Sequence, residues 1–341
     1  MSLTNLQIAD LLARSADEAE SYRQRAYRKA SRSALAWAEE ARDVLDEGRP
    51  LTELAGVGDK LARRIEGWIN DAPEVGDPPE SRTGFSTRSV STTIVEGHPE
   101  WREAINADLQ MHTTYSDGTL SIREMAEASR DLGYSYVAIT DHSQGLKVAG
   151  GMTPDEMRMQ AREVAEVNDA LSDSRFRVLH ALEMNISPAG EGDTDPADLE
   201  GLALVLGSFH SSLRTEKDQT HRYLAAVRNP HFHVLGHPRG RMYGTRAGLH
   251  ANWKRVFAEA AKAGKAVEID CNPNRQDLNA ELAARAVDAG CYISIGTDSH
   301  YLHELDYMDM GIATALAAGA PRERILNYMT ADELLAWVAD H

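Results

Sequence analysis

Two rhythms of apolar residues divide this chain. From Leu3 to Leu45 the positions Leu6, Leu11, Leu12, Ala16, Ala19, Tyr22, Ala26, Tyr27, Ala30, Ala34, Trp37, Ala38, Ala41 and Leu45 recur at three and four, the spacing of helix faces. From Ala107 the rhythm changes to short aliphatic runs that stop at polar residues. The first leads from Ala107 to His112, and Val137 to Thr140 leads to Asp141 and His142. Phe176 to Leu182 stops at Glu183, Leu202 to Phe209 at His210, His233 to Gly236 at His237, and Tyr292 to Thr297 at Asp298 and His300.

Helical patterns separate these runs. Ser121 to Leu132 opens on a Ser cap with Glu124 three residues later and stops at Gly133, and Thr153 with Glu156 starts a second helix that runs toward Leu171. Further helices are predicted over 218–228, 249–263, 279–289 and 305–318, a short one over 195–200, and a capped amphipathic one over 331–338 that closes the fold. Strand followed by helix, repeated, predicts an α/β fold of parallel strands with crossover helices. In a closed parallel barrel every strand ends at one face. His112, Asp117, His142, Glu183, His210, His237, Asp298 and His300 are then expected to converge there. Imidazoles and carboxylates together suit zinc, manganese or iron, and a carboxylate can bridge two ions.

The amino-terminal helices carry a cluster of Arg23, Arg25, Arg28, Lys29 and Arg32, readable as a solvated face or as a phosphate-contacting one. Leu54-Ala-Gly-Val-Gly-Asp-Lys-Leu-Ala62 sets two glycines in a turn before a helix, where free backbone N–H groups can hold a phosphate. The turn resembles the helix-hairpin-helix of DNA-binding proteins, which implies Gly56, Gly58 and Lys60 as candidate DNA contacts. Residues 73–104, rich in Pro, Gly, Ser and Thr, read as a linker, with a strand conceivable over Ser91–Val95.

Composition narrows the class. A chain of 341 residues holds a barrel and a small second unit. Cys271 and Cys291 alone make no disulfide framework, and no stretch has the length of a membrane span or the form of a signal peptide. A soluble, cytoplasmic protein is expected. The net charge of −17 repels polyanions at range. Residues 1–75 hold 11 basic and 14 acidic groups, so the acid is concentrated in the barrel portion and DNA contact is expected from the amino-terminal unit.

The ordered motifs Asp108-Leu-Gln-Met-His-Thr-Thr-Tyr-Ser-Asp-Gly118, Ile139-Thr-Asp-His142, Gly207-Ser-Phe-His210, Gly236-His-Pro-Arg-Gly-Arg241, Glu268-Ile-Asp-Cys-Asn-Pro-Asn-Arg275 and Gly296-Thr-Asp-Ser-His300 resemble the polymerase and histidinol phosphatase (PHP) family. The likeness is greatest to its branch fused to bacterial family X DNA polymerases. The resemblance implies a distorted seven-stranded (β/α) barrel over 105–341 holding two or three divalent ions, zinc or manganese, with iron a further candidate. It assigns His112, Glu183 and Asp298 to a first ion, Glu183, His210 and His237 to a second, and Asp117, His142 and His300 to a third. Where many members have His-x-His this chain has Gln110-Met-His112. Gln110 is thus a candidate ligand of weaker kind, and the first ion is expected to be held loosely or to be a different metal.

Residues 1–72 resemble the helix-hairpin-helix eight-kilodalton domain of family X polymerases. Only residues 73–104 stand where those enzymes carry their catalytic palm, so polymerase activity is excluded. Arg64 stands where they carry a Schiff-base lysine, and a permanently protonated guanidinium cannot act as that nucleophile.

Two close ions lower the pKa of bound water to about 7 and draw charge from phosphate oxygens, which matches phosphoester hydrolysis. Lys147, Arg241 and Arg275, in preference to Arg239, are expected to grip phosphate, and His300 or His237 to protonate the leaving oxygen. The substrate expected first is a DNA 3′ end, cleaved by a 3′-5′ exonuclease or 3′-phosphatase. The alternatives are a small phosphate monoester of the histidinol phosphate type and a non-catalytic DNA-binding module.

Overall fold

A computed structural model describes residues 3–172 and 176–341. The helical rhythm at the amino terminus becomes α1 (Asn5–Glu18), α2 (Ser21–Leu35) and α3 (Ala41–Asp46), followed by α4 (Asp59–Asn70). Thr4 and Gln7 form a capping box on α1. Ile8, Leu12, Ala30, Ala34, Leu35, Val44 and Ile65 bury together, and Ser31 Oγ donates to the Ala9 carbonyl at 2.7 Å to tie α2 to α1. Gly58 caps α4 without a side chain, and Gly56, at φ +80°, packs so close to Ser33 that a Cβ would lie 2.9 Å from its Oγ. The exposed basic residues Arg23, Arg25, Arg28, Lys29 and Arg32 all lie on α2.

Residues 88–104 are helical rather than extended, forming α5 (Arg88–Glu96) and α6 (Pro99–Ala104). The strand conceivable at Ser91–Val95 is therefore corrected to helix. Its β-branched residues favour a strand only in isolation, whereas here Thr87 accepts from the Val90 N–H and Val95 buries in the barrel's outer core. Arg88 and Arg102 pair with Asp306 and Asp309 at 3.1 and 3.5 Å.

The barrel strands are β1 (Ala107–Asp108), β2 (Tyr136–Ile139), β3 (Arg177–Asn185), β4 (Leu204–Ser208), β5 (Val234–Gly236), β6 (Ala266–Asp270) and β7 (Tyr292–Gly296). They pair in sequence order and all in parallel. Between β7 and β1 a single parallel bridge, Met111 to Ser299, nearly closes the ring, with His112 N–H donating to the Ser299 carbonyl at 2.8 Å.

Outside run α7 (Ile122–Asp131), α8 (Pro154–Ala170), α9 (Thr220–Val227), α10 (Trp253–Lys262), α11 (Ala280–Asp288) and α12 (Met308–Ala317). The capping boxes expected at Ser121/Glu124 and Thr153/Glu156 both form. Inside, Leu109, Tyr136, Ala138, Leu179, Ala181, Leu204, Leu206 and Val234 make a second core, plugged by Leu334 and Trp337 of α13 (Ala331–Asp340). Among the described residues no helix is long and apolar enough to cross a membrane, and both cysteines are buried and free.

Candidate metal centre

Side chains alternate along a strand, and one inward position near the end of β3 is charged. Leu179 and Ala181 face the inner core, His180 turns outward to Gln160 of α8 at 3.1 Å, and Glu183 points back inside. Glu183 has no exposed surface and stands among four imidazoles. Its Oε1 is 2.7 Å from His237 Nε2 and 3.2 Å from His210 Nε2. Its Oε2 is 3.0 Å from His142 Nδ1 and 3.4 Å from His112 Nε2.

The other expected residues gather around this hub. His112 Nε2 lies 3.0 Å from Asp298 Oδ1, and its ring stacks on those of His142 and His300, with both centroids 4.4 Å away. His300 Nε2 and His142 Nε2 approach Asp117 Oδ1 at 3.1 and 3.6 Å. Among the described residues three groups of side chains could each place ligand atoms within 4.8 Å of one another: His112, Glu183 and Asp298; His142, Glu183 and His210; and His112, Asp117, His142 and His300. The first matches the expected trio. In the second His142 takes the place expected for His237, which nonetheless makes the shortest contact to Glu183. In the third His112 joins the expected set.

The donors fit divalent cations. Nδ1 of His142 and Nε2 of His210 are buried beside Glu183 and yet have no partner in hydrogen-bonding geometry, although buried polar atoms are nearly always satisfied. Imidazole and carboxylate lone pairs aimed at one another's surroundings are the donor set of zinc, manganese or iron. His210 is oriented through its other nitrogen, Nδ1, by Asn185 Oδ1 at 3.2 Å, as ligating histidines usually are.

Electrostatics keep the central carboxylates ionised. Burial alone would raise Glu183, but His142, His210 and His237 hold it well below the usual carboxylate range. Asp298 behaves alike: burial opposes ionisation, and Arg275, His112 and His300 overcome it. His300 is half-buried, and the loss of solvent disfavours its charge, yet its hydrogen bond to Asp117 and the charge of Asp298 push it up to about 10. The backbone at His237 and Asp298 is left-handed, at φ 22° and 54°, a conformation held against its cost by the surrounding contacts. Gly118 has a steric reason, because a Cβ there would strike the His112 carbonyl at 2.4 Å and break the turn that presents Asp117.

Gln110 and the cationic residues end up in different places. Gln110 turns its amide nitrogen to the buried Glu268, donating to both carboxylate oxygens, with Oε2 at 3.0 Å. The expected weak ligand is thus engaged by a neighbour on β6. Arg275 is at the centre, its Nη1 2.9 Å from Asp298 Oδ2. Lys147 is exposed in a turn after β2. Arg241, expected to grip phosphate, is buried with its guanidinium 3.7 Å from the Phe85 centroid, and its Nη2 donates to the carbonyls of Thr83 and Gly84 at 3.0 and 3.2 Å. It braces the segment that leads into the barrel.

Sequence reasoning quoted Glu268 and Asp270 in a motif and gave them no role. Burial, reinforced by the charge of Asp270 on Glu268 and of Asp298 on Asp270, raises both well above the carboxylate range. Their signal is the inward alternation of β6, which runs Ala266, Glu268, Asp270. Asn185, two residues past Glu183 on the same face, carries the same signal.

Residues 108–271 match the PHP domain. The chain is 37% identical over 265 residues to the DNA polymerase/3′-5′ exonuclease PolX of Bacillus subtilis, a match that covers 76% of this chain and 45% of that protein. It is 28% identical over 238 residues to the probable phosphatase YcdX of Escherichia coli, covering 64% of this chain and 89% of that one. The chain therefore spans less than half the length of the Bacillus relative and most of the Escherichia one. Among solved structures it is similar to a histidinol phosphate phosphatase from Lactococcus lactis complexed with zinc, L-histidinol and phosphate. That likeness has a TM-score of 0.47 and 16% identity, covering 62% of this chain and 93% of that one. With the ligand set gathered around Glu183, the non-catalytic expectation gives way to an enzyme. The seven-stranded barrel, its ordered motifs and the match over residues 108–271 together make this part of the chain a PHP domain.

Proposed function

We propose that this chain hydrolyses phosphate esters at DNA 3′ ends, as a 3′-5′ exonuclease or 3′-phosphatase, with residues 1–72 as a DNA-holding unit, 73–104 as its connection and 105–341 as the catalytic barrel. The observation that carries the hydrolytic reading is Glu183 in contact with four imidazoles, at 2.7 to 3.4 Å, on the mouth of the barrel. When bound there, divalent cations supply charge neutralisation for phosphate oxygens and acidify water. The chain's own residues do the rest. Glu183 spans two of the ligand groups, Asp298 is fixed by Arg275, and Asp117, the most open of the acids at 37% exposure, faces the approaching ester.

The DNA reading draws on the relative whose name includes 3′-5′ exonuclease. It draws also on the exposed turn of Gly58 and Lys60 and the basic face of α2 in the amino-terminal unit. The second reading, a small phosphate monoester substrate, is favoured by the match to a probable phosphatase of which this chain covers 89%. One panel separates the two: the chain with manganese or zinc is offered labelled DNA with 3′-hydroxyl or 3′-phosphate ends, histidinol phosphate and a chromogenic monoester. Turnover of DNA that drops when residues 1–75 are deleted supports the first reading, and turnover of the monoesters alone supports the second.

A further inference from the structure

The loops that follow β4 and β5 touch beside the candidate centre: a Cβ on Gly240 would lie 2.8 Å from Leu213. Between them is a cavity of about 430 Å³ whose walls include Arg214, Thr245, Arg246, His250, Glu80 and Glu216. Arg214 comes four residues after His210, and Arg246 nine after His237. Both arginines are therefore carried on loops that begin at the centre itself.

Glu80 and Glu216 match the two arginines in number, but neither pairs with them. Arg246 is half-buried and its Nε is anchored on the Gly240 carbonyl. Burial first, and then the positive charges of Arg275 and Arg214, lower its pKa, so Arg246 sits within electrostatic reach of both other guanidiniums. Among the described residues neither Arg214 nor Arg246 has a carboxylate within 4.0 Å, and Glu80 is turned to His250 at 3.6 Å. At one end of this row Arg275 joins the centre through Asp298. At the other, Arg32 of α2 donates to Thr245 Oγ1 at 2.9 Å, with Arg28 beside it on the wall of an adjoining cleft that Tyr243 and Gly244 share. On a chain of net charge −17, such a local row is what lets a polyanion settle against the long-range repulsion.

We propose that Arg214 and Arg246 form a second phosphate subsite, gripping the backbone phosphate next to the ester at the centre, so that the site takes a polynucleotide strand in preference to an isolated monoester. This rests on the hydrolytic reading above for the position of the reacting ester. Two guanidinium forks suit a phosphodiester, which offers two non-bridging oxygens.

The test uses the full chain with manganese and a labelled twelve-nucleotide single strand whose 3′ linkages are phosphorothioates, read by fluorescence anisotropy across a salt series. Replacing both arginines (R214Q with R246Q) is expected to weaken binding at least tenfold and to flatten the slope of log K against log salt by about 1.4, two phosphate contacts on a single strand. R246K, which keeps the charge and loses the fork, is expected to keep the native salt slope while losing part of the affinity, and melting curves of each variant verify the fold. On an unmodified strand, the ratio of kcat/KM for the oligonucleotide to that for a chromogenic monoester is expected to drop at least tenfold in the double variant. Unchanged affinity and slope in the double variant overturn the subsite, as does failure of the native chain to bind the strand. If the native chain binds through these arginines yet leaves 3′ ends intact, the DNA-end reading fails and the subsite stands. If 3′ ends are hydrolysed equally well without the arginines, the reverse holds.

Discussion

Tyr243 sets its ring edge-on to Phe85, with centroids 5.0 Å apart at 86°. The pair joins the amino-terminal core to the loop that starts at His237. The same segment reaches the neighbouring loop as well. Tyr243 N–H donates to the Asn274 carbonyl at 2.8 Å, and Gln276 holds both the N–H and the carbonyl of Ser86, at 2.8 and 2.9 Å. Phe85 is thus the clamp on which Arg241, Tyr243 and the Arg275 loop rest. Phe85→Ala is expected to cost about 3 kcal/mol of stability and to speed proteolytic cutting between residues 72 and 87. Unchanged melting and digestion would show that the amino-terminal unit is held by other contacts.

The reach of the sequence follows from which forces are local. Capping boxes at Ser121, Thr153 and Thr330 depend on residues three apart, and all three form where the spacing places them. The ligand types at the strand ends are legible for a similar reason, since two-residue alternation carries Glu183 inward once Leu179 and Ala181 are inward. Contacts across the fold are another matter. Nothing near Arg241 announces Phe85, and nothing near Gln110 announces Glu268, because each pair exists only after distant segments have packed. Gly296 shows how narrow that packing is: a Cβ there would lie 2.5 Å from the Gln110 Cβ and 2.8 Å from Glu268 Oε1. At Ser91–Val95 local propensity pointed to a strand, and burial against the barrel decided for helix.

Lys265, at 2% exposure, donates to the Phe232 carbonyl, and burial lowers its pKa to about 8 from an ordinary value of 10.5. Between these values the unfolded chain binds the proton more tightly than the folded one, so this residue's penalty on stability shrinks as pH rises. The buried Cys291, pushed up to about 12, and the buried tyrosines act in the opposite sense above pH 9. The effect is therefore read as a difference. Between pH 8 and 10, Lys265→Met is expected to lose about 2 kcal/mol more stability than the native chain in denaturant titrations. Parallel pH profiles would mean that Lys265 titrates normally.

Gln110 tests whether the pair with Glu268 or an ion explains its position. Gln110→Met keeps the length and removes the amide, leaving a buried carboxyl group without its donor. Stability is expected to drop by about 1–3 kcal/mol, while the metal content per chain, measured by elemental analysis, stays at the native value. A drop of one ion per chain would return Gln110 to the ligand set.

Glu183 is the position at which the centre is most exposed to a single change. Its carboxylate touches four imidazoles that otherwise bring only positive charge or unmatched lone pairs to the barrel mouth, and it belongs to two of the three ligand groups. Glu183→Gln keeps the shape and removes the charge. The variant is expected to lose at least one ion per chain and more than about 100-fold in turnover of a chromogenic phosphate ester, beyond the loss usual for residues that merely support a ligand. Because the amide can still accept from His237 or His210, the barrel is expected to stay folded by circular dichroism, so lost turnover reports on the centre and not on collapse. Full metal content with turnover within tenfold of native would place the reacting site elsewhere on the molecule.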